Sequence, residues 1–414
     1  MASEDAGSTS STWAPLRIGA FRGLFIAALA SNIGTWMQTV GAQWFLVTGH
    51  ASATTVALVQ TASLSPTLIL ALVAGALADR VDRRRLLIAL QLYAAAAAAV
   101  LTAITVAGLL NPISLLSLLF AIGCAAAMTT PAWQAIQPEL VPRDQFPAAA
   151  SLTGVTVDAA RAIGPPIAGV LVAAAGPQAV FAINAVSFTA VVAALMAWKR
   201  PRSMPVVDQE PMSQSVATGL RYVRKSKPVR RILLRATLFA FPVSALWALL
   251  PVAASQHWQL RAIGYGAVLG TMGAGAVLGA LVMSRLRSTY SANALLVLSA
   301  LVDAAGLLAA AYLPLAAGVV LLLLSGVAWI VTLTTLTVAA QLALPQWVQA
   351  RGFAIYLVVL IGSQALGAFV WGLVASTFGL AASLTAAAIL LVGTAASHTV
   401  LPLLPATDDD PRAQ

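Results

Sequence analysis

Charge is scarce in this sequence of 414 residues: Asp, Glu, Lys and Arg together make up 9% of it, while hydrophobic residues make up 60%. A soluble domain needs more polar side chains to cover its surface, so this composition excludes one. Long apolar runs recur along the chain, each with roughly the 20 residues that a helix needs to cross a bilayer. They are too uniformly apolar for the alternating strands of a membrane barrel. We therefore predict an all-α integral membrane protein.

The residues that serve catalysis and metal binding are also rare. The single cysteine, Cys124, excludes an intrachain disulfide and a thiolate metal cluster. The histidines, His50, His257 and His398, are scattered and lack metal-binding spacing. The glycine-rich phosphate loop of ATP-binding proteins is missing from the sequence, which argues against direct use of ATP. We predict a protein that is not an enzyme and that needs no cofactor or metal.

The apolar runs predict twelve transmembrane helices in two groups of six. The first group covers 20–48, 54–78, 85–109, 113–136, 147–173 and 177–198, and the second covers 231–254, 262–285, 291–312, 314–341, 350–376 and 379–402. We therefore divide the chain into an N-terminal half (1–198), a cytoplasmic linker (199–230) and a C-terminal half with a short acidic tail (231–414). The first residues lack the pattern of a cleavable signal, so we expect the first apolar run to remain as a helix.

Basic residues indicate the orientation of these helices. They fall almost entirely in alternate connections, with Arg261 as the exception: Arg80, Arg83, Arg84, Arg85, Arg143, the linker, Arg285, Arg287 and Arg351. Cytoplasmic loops retain positive charge, so we place the linker and both termini in the cytoplasm of a bacterial cell, with the chain in its inner membrane. The net charge of +10 is then explained by topology, and we expect no nucleic-acid partner.

The linker itself carries one structural signal. Val216, Leu220 and Val223 recur at helical spacing between Ser213 and Lys227, with basic residues beside them. This pattern predicts an amphipathic helix at the membrane surface.

The two halves repeat each other at a constant spacing. Pairs of proline or glycine residues are separated by 203 positions in four cases: Pro142 and Pro345, Gly164 and Gly367, Gly169 and Gly372, and Gly176 and Gly379. This constant spacing predicts two pseudo-symmetric structural repeats. Alternating-access transporters are built from such repeats, with the substrate site between them near the bilayer midplane.

The segment GALADRVDRRR, from Gly75 to Arg85, resembles the loop between the second and third helices of the major facilitator superfamily. Its core, Gly-x-Leu-x-Asp-Arg, is intact, and Asp82 stands where the superfamily prefers glycine. The resemblance implies a transporter with two six-helix halves around a central cavity, usually a monomer. It also implies a conformational switch in this loop, with Gly75, Asp79, Arg80, Arg83 and Arg84 as its residues.

A finer resemblance extends over nearly the whole chain. It is carried by SNIGTWMQTVGAQWFLV in the first helix, PAWQAIQPELVPRDQFPAAASL after the fourth, ARAIGPPIAGVL in the fifth, GLRYVRKS in the linker and ALWALLP in the seventh. Together these segments resemble the enterobactin exporter family, which implies proton-driven efflux of a small molecule such as a siderophore or an amphipathic drug. Two alternatives stay open: a lysophospholipid flippase on the same fold, and a membrane sensor that transports nothing.

The fifth predicted helix also resembles, in part, the antiporter motif of drug exporters. Gly164, Pro165 and Gly169 match that motif, but serine or alanine replaces its other glycines. The alternative, which those replacements favour, is a helix kink at Pro165 and Pro166 with close packing at the two glycines.

Three charged side chains fall in the apolar interior of predicted helices, where insertion costs roughly 2.5–3.5 kcal/mol each. Asp158 and Arg161 lie three residues apart on the fifth helix, so they share a face. The resemblance places this helix beside the cavity, which makes Asp158 a proton-coupling candidate and Arg161 its partner or a counter-ion for an anionic substrate. The alternative is a structural ion pair. Asp303, in the peripheral ninth helix, serves either packing or a proton path.

Uncharged polar and aromatic side chains are candidates for the substrate surface. They are Asn32, Trp36, Gln38 and Gln43 on the first helix, Trp133, Gln134 and Gln137 near the end of the fourth, and Trp247 on the seventh. Large aromatic rings with a few hydrogen-bonding groups suit an amphipathic aromatic cargo. Some of them, Trp133 in particular, could instead belong to the interfacial aromatic belt.

Overall fold

A computed structural model describes residues 13–198, 212–399 and 401–403, except for the side chains of 71–80, 212–218 and 350. This part of the chain forms thirteen α-helices and no strand. In chain order they are α1 (Gly19–Thr48), α2 (Ala53–Arg80), α3 (Arg83–Val106), α4 (Pro112–Leu140), α5 (Phe146–Ala175), α6 (Pro177–Ala197), α7 (Met212–Lys225), α8 (Lys227–Gln256), α9 (Ala262–Thr289), α10 (Ala292–Tyr312), α11 (Leu315–Ala343), α12 (Gln349–Phe378) and α13 (Leu380–Ala396).

Twelve of these helices correspond to the predicted transmembrane helices, and α7 is the predicted linker helix. In the described residues, eleven helices are long and apolar enough to cross a membrane. The remaining one, α1, has 30 residues, which suffices for a span. It carries polar side chains such as Asn32, Gln38 and Gln43, and these lower its hydropathy. The predicted all-α membrane fold is confirmed, while the domain boundaries stay a prediction because 199–211 lie outside the described residues.

Asp82, which departs from the superfamily pattern, begins α3. Its side chain accepts a hydrogen bond from the Arg85 amide at 2.9 Å and so caps the helix. Aspartate is one of the residues preferred at this position, because its carboxylate satisfies an amide that has no partner within the helix. The cap also explains why α3 begins at Arg83, two residues before the predicted start.

Repeated glycines make equivalent contacts in the two halves. Gly164 of α5 lies against α1, and Gly367 of α12 lies against α8, the first helix of the second half. Gly169 of α5 lies against α9, and Gly372 of α12 lies against α2. The last glycine pair turns the chain after α5 and after α12, with φ of 76° and 91°, a region that favours glycine. The six-helix halves α1–α6 and α8–α13 are therefore pseudo-symmetric.

The halves share an apolar core near one end of the molecule. We call the end that carries Arg83, Arg143 and Arg351 the arginine-rich end, and the other the opposite end. Towards the opposite end, one apolar cluster runs through both halves and includes Leu46 of α1 and Tyr265 of α9. At the arginine-rich end, described side chains form separate clusters, one within α1–α6 and one mainly within α8–α12. The halves are therefore held together towards the opposite end.

The linker helix α7 packs on the second half. Val223 is buried with Val229, Leu344 and Val348. The ring of the adjacent Tyr222 meets Trp347 edge-on, with centroids 5.6 Å apart, whereas Leu220 is exposed. The predicted helix is present, and part of its apolar surface contacts protein.

Arg235 is a further charged residue inside a span, in addition to Asp158, Arg161 and Asp303, and it is 2% exposed. It lies in α8, and its Nε and Nη1 donate to the carbonyl oxygens of Leu401 (2.9 Å) and Thr394 (3.4 Å). The Thr394 carbonyl lies in the last turn of α13, where carbonyl groups carry partial negative charge that favours a cation. These acceptors are far away in the sequence, so only the fold shows why an arginine is tolerated at this position.

Candidate functional site

A cavity of about 320 Å³ lies between the halves, near the middle of the helices. Helices α1, α2, α4 and α5 line it from the first half, and α8, α11 and α12 line it from the second. Its polar and aromatic side chains are Thr35, Trp36, Gln38, Thr39, Gln60, Ser63, Arg161, Ser244, Trp247, Trp329 and Gln364. This volume lies at the lower end of the range for small-molecule sites.

Arg161 lies over two indole rings in this cavity. Its Cζ is 5.5 Å from the ring centroid of Trp36 and 5.7 Å from that of Trp247. The Trp247 ring in turn lies 5.9 Å from Trp36 and 5.7 Å from Trp329. Cation–π contacts contribute roughly 0.5–2 kcal/mol each, so they help to hold the guanidinium here. The cluster brings together α1, α5, α8 and α11, and thus both halves.

Several donors of this cluster have no hydrogen-bond acceptor within the described part of the chain. They are Nε and Nη1 of Arg161 and the indole Nε1 atoms of Trp247 and Trp329, all buried. Oδ1 of Asp158 lies 3.8 Å from Nη1 of Arg161, which is an ion pair but too long for a hydrogen bond. A buried donor without an acceptor costs about 1–3 kcal/mol. These donors therefore indicate that a bound molecule would be rich in acceptors.

The predicted substrate residues on α1 and α8 divide between this cavity and the contacts around it. Trp36, Gln38 and Trp247 line the cavity, and Gln38 accepts a hydrogen bond from Nδ2 of Asn184 at 2.8 Å. Asn32 donates to the hydroxyl of Thr156 on α5 at 3.1 Å and is not among the lining residues.

The predicted residues on α4 lie elsewhere. Trp133 and Gln137 line a smaller pocket inside the first half. Gln137 donates to the Thr153 hydroxyl at 3.1 Å, and Gln134 is exposed. The structure therefore does not bring these three side chains to the central cavity.

The two aspartates proposed for proton coupling have different surroundings. Asp158 is 24% exposed and pairs with Arg161, although its own side chain is not among those lining the cavity. Asp303 on α10 is 1% exposed, and the hydroxyl of Ser325 on α11 is a polar neighbour of its carboxyl group. Asp303 lies outside the cavity lining as well. Of the three charged candidates, Arg161 is the one whose side chain reaches the cavity.

The predicted switch loop binds neighbouring helices of the first half. Arg83 donates to the Ala135 carbonyl at 3.1 Å and pairs with Glu139 at 3.4 Å, both on α4. Arg84 donates to the carbonyls of Leu195 (2.7 Å) and Met196 (2.9 Å) on α6. The side chains of 71–80 lie outside the described part of the chain, so the predicted roles of Gly75, Asp79 and Arg80 stay predictions.

The GPPIAG segment of α5 packs closely against α9. A Cβ on Gly266 would lie 2.9 Å from the Cα of Gly169, and one on Gly270 would lie 2.8 Å from Cδ of Pro166. Gly164 faces the other way, towards Trp36 of α1. Pro165 and Pro166 lie inside a continuous α5. Close packing thus occurs at both glycines of the segment, while the predicted kink stays a prediction.

Trp329, Gln60 and Gln364 line the cavity but were not singled out from the sequence. One signal would have found Gln364: it follows Arg161 by 203 positions, the spacing of the glycine repeats. The two residues occupy matching places on α5 and α12, and both reach the cavity. Trp329 has no comparable signal, because the residue 203 positions before it, Ala126, was not a candidate.

Gln43, another predicted substrate residue, links the two halves instead. Its Oε1 accepts a hydrogen bond from the Tyr265 hydroxyl at 2.5 Å, and its Nε2 donates to the Trp247 carbonyl at 3.4 Å. Gln43 and Tyr265 are almost completely buried within the shared apolar core. These bonds connect α1 with α9 and α8 where the two halves share their apolar core.

We expect Tyr265→Phe to weaken this contact between the halves, because it leaves the Gln43 oxygen buried without a donor, at a cost of about 1–3 kcal/mol. Spin labels on exposed Leu109 and Phe378 of the two halves, in a Cys124→Ser background, would report the separation of the halves at the opposite end. The distance distribution should gain a longer component in the variant.

Tyr312→Phe is the matched control, because the Tyr312 hydroxyl pairs with Thr385 at 2.9 Å inside the second half. Its distance distribution should match that of the unmodified chain. An unchanged distribution in Tyr265→Phe would show that the Gln43 contact does not hold the halves together.

Comparison with known proteins adds sequence relatives. A family model described as "transmembrane secretion effector" matches residues 10–414. The staphyloferrin A transporter of Staphylococcus aureus is 26% identical over 263 residues, which are 63% of this chain and 66% of that protein. Macrolide efflux protein A of Streptococcus pyogenes is 27% identical over 188 residues, 45% of this chain and 46% of that protein. Each match spans less than two thirds of the relative's length.

Solved structures match over nearly the whole chain. A mutant of the nucleoside transporter NupG has a TM-score of 0.76 at 13% identity, covering 92% of this chain and 99% of that one. A bacterial homologue of the human lysosomal transporter Spinster, inward-facing and unoccupied, has a TM-score of 0.74 at 15% identity, covering 95% and 98%. At these identities the likeness establishes the fold alone.

Proposed function

We propose that this chain, which belongs to the transmembrane secretion effector family of the major facilitator superfamily, is a proton-driven exporter of a small molecule. Membership confirms the superfamily predicted from the sequence and makes the chain a transporter rather than an enzyme. The observation that carries the proposal is the central cavity between two pseudo-symmetric halves, with Arg161 and three tryptophans on its wall. The names of the two sequence relatives support export of a siderophore or a drug-like molecule.

The way in which the halves touch supports transport by alternating access. They share an apolar core towards the opposite end and have separate clusters at the arginine-rich end. If the halves rock about the α2–α12 and α5–α9 contacts, the Gln43–Tyr265 link must break as the opposite end opens. We infer a monomer that takes up cargo from the cytoplasm through the arginine-rich end and releases it at the opposite end.

For proton coupling we propose Asp158, in the first half. Asp158 lies one helical turn from Arg161, so protonation of its carboxyl group would remove the charge that pairs with the guanidinium. The second candidate for the proton carrier is Asp303, whose carboxyl group is buried in the second half.

Deletion of the gene, followed by metabolite profiling of cells and medium, tests export. We expect at least one small molecule to accumulate in the cells and to fall in the medium, with reversal when the intact gene is returned. A protonophore should mimic the deletion. Unchanged profiles would contradict export, and altered lysophospholipids alone would support the flippase instead.

Topology gives a separate prediction. A tag inserted between Met204 and Pro211 should be cytoplasmic, because basic segments are retained on that side of the membrane. It should react with an impermeant antibody only after the cells are permeabilised. Cysteine introduced at Leu109, on the opposite end, should be labelled from outside in intact cells. Labelling of the linker tag in intact cells would reverse the orientation.

A further inference from the structure

We propose that the cavity recognises its cargo by a carboxylate group, which Arg161 and the indole N–H groups of Trp247 and Trp329 hold together. This inference rests on the proposed function, since it names the chemistry of the exported molecule. It commits to an anionic cargo with an apolar body rather than to an organic cation or a neutral molecule.

The charge of the cavity supports an anion. Arg161 is the one charged side chain among the described residues that line it. The nearest acidic group on the same helix, Asp158, lies outside that lining and leaves Nε and Nη1 of Arg161 without a hydrogen bond. An arginine with free donors binds a carboxylate by two parallel hydrogen bonds, which a cation or a hydrocarbon does not offer.

The indole N–H groups of two tryptophans also favour a ligand with hydrogen-bond acceptors. Trp247 is 9% and Trp329 is 5% exposed, and neither Nε1 has an acceptor among the described residues. An indole N–H only donates, so it selects acceptor atoms. The Trp247 ring centroid lies 5.7 Å from Cζ of Arg161 and 5.7 Å from the Trp329 ring. The three residues therefore form one contiguous cluster in which each contributes a buried donor without an acceptor.

The remaining wall suits the body of such a molecule. The faces of Trp36 and Trp247 form an aromatic surface beneath the guanidinium. Gln60, Ser63 and Gln364 place uncharged polar groups around the same volume. An amphipathic acid would thus place its carboxylate at Arg161 and its apolar part against the indole rings.

Three probes with the same aromatic body separate charge from shape: naphthoate, naphthamide and naphthylmethylammonium. Their affinities for the full chain in lipid nanodiscs can be measured by ligand-detected NMR titration without any ion gradient. We expect naphthoate to bind at least about tenfold more tightly than naphthamide, because hydrogen bonds to a charged group are stronger than neutral ones. Naphthylmethylammonium should bind most weakly.

Variants locate the site. Trp247→Phe and Trp329→Phe keep an aromatic ring and every charge, and each should weaken naphthoate binding by about 3–10-fold. Trp258→Phe is the matched control, because its indole already donates to the Leu313 carbonyl at 2.9 Å outside the cavity. Arg161→Gln should remove the preference for naphthoate over naphthamide. The tryptophan variants keep the test valid if the arginine variant does not fold.

The inference is overturned if naphthoate binds no better than naphthamide, if the ammonium probe binds best, or if the cavity variants behave like Trp258→Phe. These outcomes do not depend on export. A chain that prefers naphthoate but alters no metabolite profile would retain the anion site and lose the proposed function. A chain that exports a cargo without this preference would retain the function and lose the anion site.

Discussion

Asp158→Asn is expected to abolish accumulation of the cargo against a gradient while exchange down a gradient persists. Burial and a neighbouring arginine act on a carboxyl group in opposite senses, so its protonation changes when the surroundings change. Asp158 is partly buried, and Arg161 belongs to the cavity wall, where alternation alters access to water. Asparagine conserves the size of the side chain and removes the titrating group, so binding should survive while coupling fails.

Proteoliposomes with an imposed pH gradient measure both properties on one preparation, with the metabolite found by profiling as cargo. Uphill accumulation by Asp158→Asn should fall to the level of protein-free liposomes, while counterflow stays near normal. Asp303→Asn is the comparison, because it makes the same change at a buried carboxyl group outside the cavity lining. Normal uphill transport by Asp158→Asn would reduce Asp158 to a structural partner of Arg161. Loss in Asp303→Asn alone would then move the coupling role to α10.

The helices and their repeat could be predicted from the sequence, because both depend on features that can be read along the chain without knowing which residues are in contact. Apolar runs of membrane-spanning length predict helices whatever their neighbours are. The spacing of 203 residues places Gly164 and Gly367, and Gly169 and Gly372, at corresponding contacts without any knowledge of the contacts themselves.

The residues of the cavity wall could be predicted only in part, because the direction in which a side chain points depends on how the helix is rotated about its axis. A soluble helix shows that rotation by its apolar stripe, whereas a helix that is apolar all round does not. The same holds for α11, which carries Trp329, because its few polar residues do not leave an apolar stripe on one face. Gln43 shows the converse case: its polarity suggested the cavity, whereas the structure places it against Tyr265 of the other half, in the shared core.

Gly273→Ala is expected to separate α5 from α9 and to stop transport, although it adds a single carbon atom. A Cβ on Gly273 would lie 2.6 Å from the Ala162 nitrogen and would also meet the Arg161 carbonyl oxygen. These atoms are helix backbone, which cannot rotate away as a flexible side chain would. Overpacking of this kind costs about 1–3 kcal/mol, or a factor of about 5 to 150 in the equilibrium between packed and separated helices.

The displacement of α5 in Gly273→Ala should also affect ligand binding, because α5 carries Arg161. The backbone that must move to admit the new carbon carries the guanidinium of the cavity, so displacement of α5 also displaces the proposed anion site. Gly154→Ala, which makes the same change on α5, is the control, since a Cβ there would have no neighbour within 4 Å. It should be neutral or slightly stabilising, because alanine favours helix over glycine by roughly 0.5–1 kcal/mol. Thermal stability and cargo counterflow are measured on both variants. Both should fall in Gly273→Ala, and neither should fall in Gly154→Ala. If Gly273→Ala keeps the thermal stability and counterflow of Gly154→Ala, the two helices can move apart here without loss of transport. The α5–α9 contact would then not be the axis of alternation.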